Sequence, residues 1–243
     1  MNIAITQLAF NDNDSLSKKA KELNIDNIEL IFSMFNSEQQ MRKVLKQLKD
    51  SNVKYSTAQS ILYNSNIKNL SDYSIVEFVE QFCDKCNDCG VNLIVLGSAK
   101  NRQGDKKDTE IVFKKIDDIL KIKDIILCIE PNSKIYGGSY FFNLKEITEF
   151  IDQNNFKNIR SMVDTFNLMN EGFDPSYEYV KYKKYIEHIH ISEKNLIPYK
   201  TSIEHQNFSK AIKSNNYSKI ITYEAKYCDD IDSSIFNFFN DYS

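Results

Sequence analysis

Hydrophobic and polar positions along this chain alternate between two rhythms. Short apolar, β-branched runs occupy residues 3–8, 28–32, 53–59, 91–97, 124–130, 159–164, 186–193 and 219–225. Between and after them, apolar residues recur at three- and four-residue spacing over 15–23, 37–51, 75–90, 108–122, 144–154, 176–184, 201–215 and 231–239. The first pattern predicts strands and the second amphipathic helices. Residues 91–97 (VNLIVLG) read as a parallel strand buried on both faces. Eight strands alternating with eight helices predict one α/β domain over 1–243, a single (β/α)8 TIM barrel. A doubly wound open sheet is the alternative, but the first turn after the first strand carries no glycine.

Composition narrows the class. A chain of 243 residues, 42% hydrophobic, is long enough for one large core. Its net charge of −3 offers no basic field, so nucleic acid is not an expected partner. No apolar run reaches the ~18 residues of a membrane span, and residues 2–10 carry no positive n-region or cleavage signal, so a secretory leader is not expected. Five cysteines, an odd number in a chain too long to need disulfide staples, suggest a reduced, cytoplasmic protein. Cys83, Cys86 and Cys89 form a CxxCxxC run. Their three-residue spacing places them on one stripe of the predicted 75–90 helix, and a cluster would need a fourth ligand. A packed helix face is the expectation.

The chemistry concentrates at strand ends. In IEHIHISE (186–193), His188 and His190 share one strand face while Ile189 and Ile191 take the other. The active site of such a barrel lies where its strands end. Those ends supply Glu29, Gln59, Lys100 with Arg102, Glu130, Asp164, His190 and Glu224 in turn. A carboxylate on an apolar strand end is costly without compensation, and three beside one imidazole repel one another. One divalent cation, Mn²⁺, Mg²⁺, Co²⁺ or Zn²⁺, suits the O/O/N/O set of Glu130, Asp164, His190 and Glu224. The competing reading pairs Glu130 and Glu224 with lysines such as Lys134 and Lys226.

Four segments in order carry a resemblance: Glu130-Pro131-Asn132, Asp164-Thr165-Phe166, His188 through Glu193, and Tyr223-Glu224. With ligand spacings of 34, 26 and 34 residues, the chain resembles the xylose-isomerase-like superfamily, the sugar phosphate isomerase/epimerase group that includes ketose 3-epimerases and endonuclease IV. The resemblance implies that Glu130, Asp164, His190 and Glu224 hold the metal. It also implies that Glu130 and Glu224 are the catalytic acid/base pair, moving a proton beside a carbonyl through a metal-stabilised enediolate on a small carbohydrate. A lyase or dehydratase on the same site is the alternative, as is a metal-binding barrel without turnover. An endonuclease would need more histidine and a basic face. Against the epimerases, Asn167 replaces a histidine, Leu196 an arginine and Tyr136 a glutamate.

Substrate-side candidates are His188, Asn167, Gln59, His205 and Glu193, with Lys100 and Arg102 for an anionic group on the substrate. For His188 and His205, a packed or surface role is the competing reading. By family analogy the chain is expected to form a homodimer, and the aromatic segment 235–239 is expected to cover the barrel or a neighbouring subunit.

Overall fold

A computed structural model describes residues 2–63 and 65–243. The strands are β1 (Asn2–Thr6), β2 (Asn27–Leu30), β3 (Lys54–Ala58), β4 (Leu93–Leu96), β5 (Ile126–Ile129), β6 (Ile159–Asp164), β7 (Ile186–Ser192) and β8 (Ile220–Glu224). All neighbours are parallel, and β1 pairs with β8 through Ile3↔Ile221 and Ala4↔Thr222, closing the barrel in sequence order. Closure excludes the open-sheet alternative.

The helices are α1 (Leu16–Glu22), α2 (Glu38–Asp50), α3 (Ser74–Cys89), α4 (Glu110–Lys123), α5 (Leu144–Asn154), α6 (Thr165–Asn170), α7 (Pro175–Tyr182), α8 (Ile203–Ser214) and α9 (Ile231–Tyr242). Their starts are set by short polar caps: Ser37 accepts from Gln40 N, Asn143 from Glu146 N and Ser202 from His205 N. Gly90 ends α3 in the left-handed region, at φ +80°. The six-residue α6 is absent from the periodicity reading. It is too short to show an apolar period and is held instead by Asp164, whose carboxylate caps it at Asn167 N, 2.7 Å.

Two cores follow from strand alternation. Ile94 and Leu96 of β4, Ile189 and Ile191 of β7 and Ile221 and Tyr223 of β8 join the main core between sheet and helices. Burying each such side chain contributes roughly 1.5–3 kcal/mol. The opposite faces of β4, β5 and β6 give a small apolar plug, Leu93, Val95, Cys128 and Met162. The remaining interior is polar. Hydrogen bonds from His188 and His190 on β7 to Glu29 on β2 join strands that are not neighbours, so they cross the barrel.

Cys83 and Cys86 are buried on the barrel-facing side of α3, and burial pushes the Cys83 thiol up to about 12. Among the described residues, no ligand group forms around the cysteine stripe. The segment 235–239 covers its own barrel: Phe238 stacks on Tyr223 with ring centroids 5.1 Å apart, while Phe236 points to solvent. No described helix is long and apolar enough to cross a membrane.

Candidate metal centre

Parallel register brings the strand ends together. Asp164 pairs with His190 across β6 and β7, and Ser192 with Glu224 across β7 and β8. Leu96 is level with Ile129, which sets Gly97 beside Glu130 just past β4 and β5. One donor atom from each of Glu130, Asp164, His190 and Glu224 lies within 4.8 Å of every other, and all four residues are buried. His190 Nδ1 stands 3.3 Å from both Glu130 Oε1 and Glu224 Oε2.

These side chains are held individually. Asn132 Nδ2 donates to Glu130 Oε2 at 2.9 Å, and Ser192 Oγ donates to Asp164 Oδ2 at 2.7 Å. Asp164 spends its other oxygen capping α6. Burial first, then repulsion from Glu130 and Glu224, pushes the Asp164 carboxyl well above the ordinary carboxylate range. Burial alone would push His190 down. Glu29 and Glu224, with Glu130, outweigh it and hold the imidazole well above its usual value. The cluster therefore attracts positive charge.

A divalent cation fits it. His190 Nδ1 is buried and has no hydrogen-bond partner, an orphaned atom aimed at two carboxylates. Donor atoms held ~2.0–2.2 Å from a shared cation stand roughly 3.0–3.5 Å apart, which is the separation of His190 Nδ1 from Glu130 Oε1 and from Glu224 Oε2. Among the described residues, Glu130 and Glu224 form no ion pair with a lysine; Lys134 pairs with Glu171 at 3.4 Å.

Beneath this cluster lies a residue that the sequence reading noted at a strand end but did not assign. Glu29, fully buried, receives His188 Nε2 on Oε2 at 2.7 Å and His190 Nε2 on Oε1 at 2.9 Å. Thr222 Oγ1 also donates to Oε2, in a short contact, and Thr57 Oγ1 lies 3.3 Å away. Burial would raise the Glu29 carboxyl, but the two imidazoles outweigh it and keep it well below the usual range. The available signal was a glutamate in the middle of a four-residue strand buried at every position.

The pocket above the cluster has a volume of about 370 Å³, a size typical of small-molecule sites. Gln59, Asn167, Tyr136 and Leu196 line it, with Phe166 and Lys226. Three positions that depart from the epimerase pattern (Asn167, Leu196 and Tyr136) therefore face the same cavity. Tyr136 and Phe166 meet edge to face, 6.2 Å between centroids. Asn195 and Leu196 both adopt left-handed backbone, φ 59°, and Lys226 N fixes Leu196 O at 2.9 Å. A left-handed leucine is strained, and such strain gathers at functional sites.

Other candidates lie elsewhere. Arg102 is not a rim cation: it is 1% exposed, and its guanidinium donates to the carbonyls of Phe141 (3.1 Å), Leu96 (3.0 Å) and Gly97. It ties the end of β4 to the loop before α5. Lys100 is exposed and outside the pocket lining. His188 is fully buried under His190 and does not reach the cavity. His205 is packed between α8 and α9, with Nδ1 3.0 Å from Tyr242 Oη. Glu193 lies 3.4 Å from His205 Nε2, also away from the pocket. A larger groove between α2 and α3, about 900 Å³, is flanked by exposed charges and contains no convergent ligand set.

A family model for the xylose isomerase-like TIM barrel matches residues 17–234. Compared with curated protein sequences, the chain has no match. Among solved structures, it is similar to 3-keto-D-glucoside 4-epimerase from E. coli, with a TM-score of 0.82 and 14% identity over 99% of both chains. It is also similar to D-psicose 3-epimerase from Clostridium cellulolyticum H10, at TM-score 0.78 and 17% identity, covering 98% of this chain and 90% of that one. An AP endonuclease of family 2 from Brucella melitensis aligns over 98% of both chains, at TM-score 0.81 and 14% identity.

Proposed function

The chain belongs to the xylose isomerase-like TIM-barrel family, and we propose that it is a divalent-metal-dependent isomerase or epimerase of a sugar or sugar derivative. The observation that carries this reading is the placement of Glu130 and Glu224. They end β5 and β8, three strands apart on the rim, and both face His190 Nδ1 from 3.3 Å. Similarity to the two epimerase structures supports it.

Glu130, Asp164, His190 and Glu224 would hold the cation. When bound, it supplies positive charge where negative charge builds on the substrate oxygens as the neighbouring C–H loses its proton. The protein's own groups do the rest. Asp164 is fixed by two hydrogen bonds, to Ser192 Oγ and Asn167 N, which suits holding rather than proton transfer. Glu130 and Glu224 approach from different strands, so one can take a proton from a carbon and the other return it on the opposite face. Asn132 orients Glu130 for that task. Tyr136, Phe166 and Leu196 wall the cavity.

The substrate is expected to differ from a free ketose, because Asn167, Leu196 and Tyr136 all line the cavity where the ketose 3-epimerases carry histidine, arginine and glutamate. A nucleic-acid substrate is disfavoured by the net charge of −3 and by a total of three histidines, two of them committed inside the barrel.

Metal analysis of protein purified without chelator, combined with solvent-deuterium exchange into a panel of sugars and sugar phosphates, tests this reading. The expected result is stoichiometric divalent metal and exchange that disappears in Glu224→Gln and Glu130→Gln. Exchange accompanied by loss of water would move the assignment to a lyase. Protein that takes up no divalent metal would overturn the proposal.

A further inference from the structure

We infer that Glu29 is the positioning residue of the metal centre: its carboxylate accepts a hydrogen bond from Nε2–H of both barrel histidines and so presents His190 to the cation through Nδ1. The inference rests on the metal-centre reading above, but not on any particular substrate.

The argument is one of donors and acceptors. An ionised carboxylate only accepts hydrogen bonds, so a ring nitrogen 2.7 or 2.9 Å from Glu29 must carry a proton. In His190 that places the proton on Nε2 and turns Nδ1 toward Glu130 and Glu224, where it meets no hydrogen-bond partner. With Nε2–H committed to Glu29, Nδ1 is the nitrogen whose proton a cation can displace, and the lone pair so freed is the one aimed at the cluster. Metal-bound histidines generally donate their remaining N–H to a carboxylate or carbonyl, which fixes ring orientation. Glu29 occupies that place from across the barrel, 161 residues away in the chain.

Glu29 is itself fixed. Oε1 serves His190, while Oε2 takes His188 and the Thr222 hydroxyl, with Thr57 Oγ1 at 3.3 Å. Strands β3, β7 and β8 thus hold a residue of β2. On this account His188 is a strut: it occupies the second oxygen and leaves Glu29 little freedom to turn away from His190. Glutamine in place of Glu29 has one acceptor oxygen and one NH₂ group. It can accept from only one histidine and presents a donor to the other, so its shape is retained but the shared acceptor is lost.

Nitrogen NMR of the histidine side chains in the Zn²⁺-loaded wild-type protein tests this directly. The expected spectrum shows His190 protonated at Nε2 and metal-shifted at Nδ1; metal on Nε2, or a proton retained on Nδ1, overturns the inference without any variant. In parallel, Co²⁺ affinity by calorimetry is expected to fall about 10–100-fold in Glu29→Gln. Thr222→Val keeps both histidine bonds but removes one of the groups that fix Glu29, so its fall is expected to be smaller than that of Glu29→Gln. Wild-type affinity and an unchanged Co²⁺ absorption spectrum in Glu29→Gln would overturn the inference. If the wild type binds metal in this way but exchanges no substrate proton, the functional proposal fails and this one stands.

Discussion

Gly97 closes on the carboxylate of Glu130: a β-carbon on Gly97 would lie 2.5 Å from Glu130 Oε2. Its backbone is not in the left-handed region, so the position needs glycine for space rather than for conformation. Gly97→Ala should displace Glu130 from the cluster while leaving the fold intact. Metal affinity is expected to drop roughly tenfold, with unfolding free energy changed by less than about 1 kcal/mol. Calorimetric metal titration beside urea unfolding checks this, and an unaltered affinity would contradict the crowding argument.

Arg102 acts on stability. Burial is the main effect on its guanidinium and lowers it to about 10, partly offset by Glu130. Arg102→Ala removes the donor from three main-chain carbonyls and is expected to cost about 3 kcal/mol. Chemical denaturation measures the loss. If Arg102 instead contacts substrate, the variant will keep its stability and show a raised KM.

Asn132 Nδ2 donates the hydrogen bond that steadies Glu130. In Asn132→Ala the proton-transfer step should slow, lowering kcat about tenfold with a smaller change in KM. Steady-state kinetics on whichever panel sugar exchanges would show the split. An effect on KM alone would place Asn132 in substrate binding.

Metal binding should strengthen with pH. Asp164 is raised above its ordinary range by burial and by neighbouring carboxylates. A raised folded value means that the metal-free fold holds this proton more tightly than the unfolded chain does. Its contribution to stability is therefore full below the unfolded value of about 3.9 and is lost as pH rises through the folded value. A cation takes the proton's place, so the rise in Tm caused by Mn²⁺ should grow between about pH 5 and pH 8. Thermal melts with and without Mn²⁺ measure it. An increment that shrinks as pH rises would count against the carboxylate cluster as the binding site.

Much of the architecture was legible in the chain because barrel strands obey local rules. The alternation of His188, Ile189, His190 and Ile191 assigns each side chain a face wherever the strand sits, and the apolar runs with intervening helical periods specify a βα repeat. Convergence of Glu130, Asp164, His190 and Glu224 follows from the same repeat, since each lies within two residues of the end of its strand and the strands run parallel. Tertiary structure decided the rest. Arg102 reads as a free cation on a loop, but its carbonyl partners become available only when the chain near 141 folds back over β4. His205 reads as a helix-start residue until α9 brings Tyr242 against it. Glu29 reads as one more polar strand end. Its role depends on two imidazoles 159 and 161 residues later, and only barrel closure brings them to it. Local periodicity fixes the direction of a side chain; what that side chain meets across the barrel depends on closure.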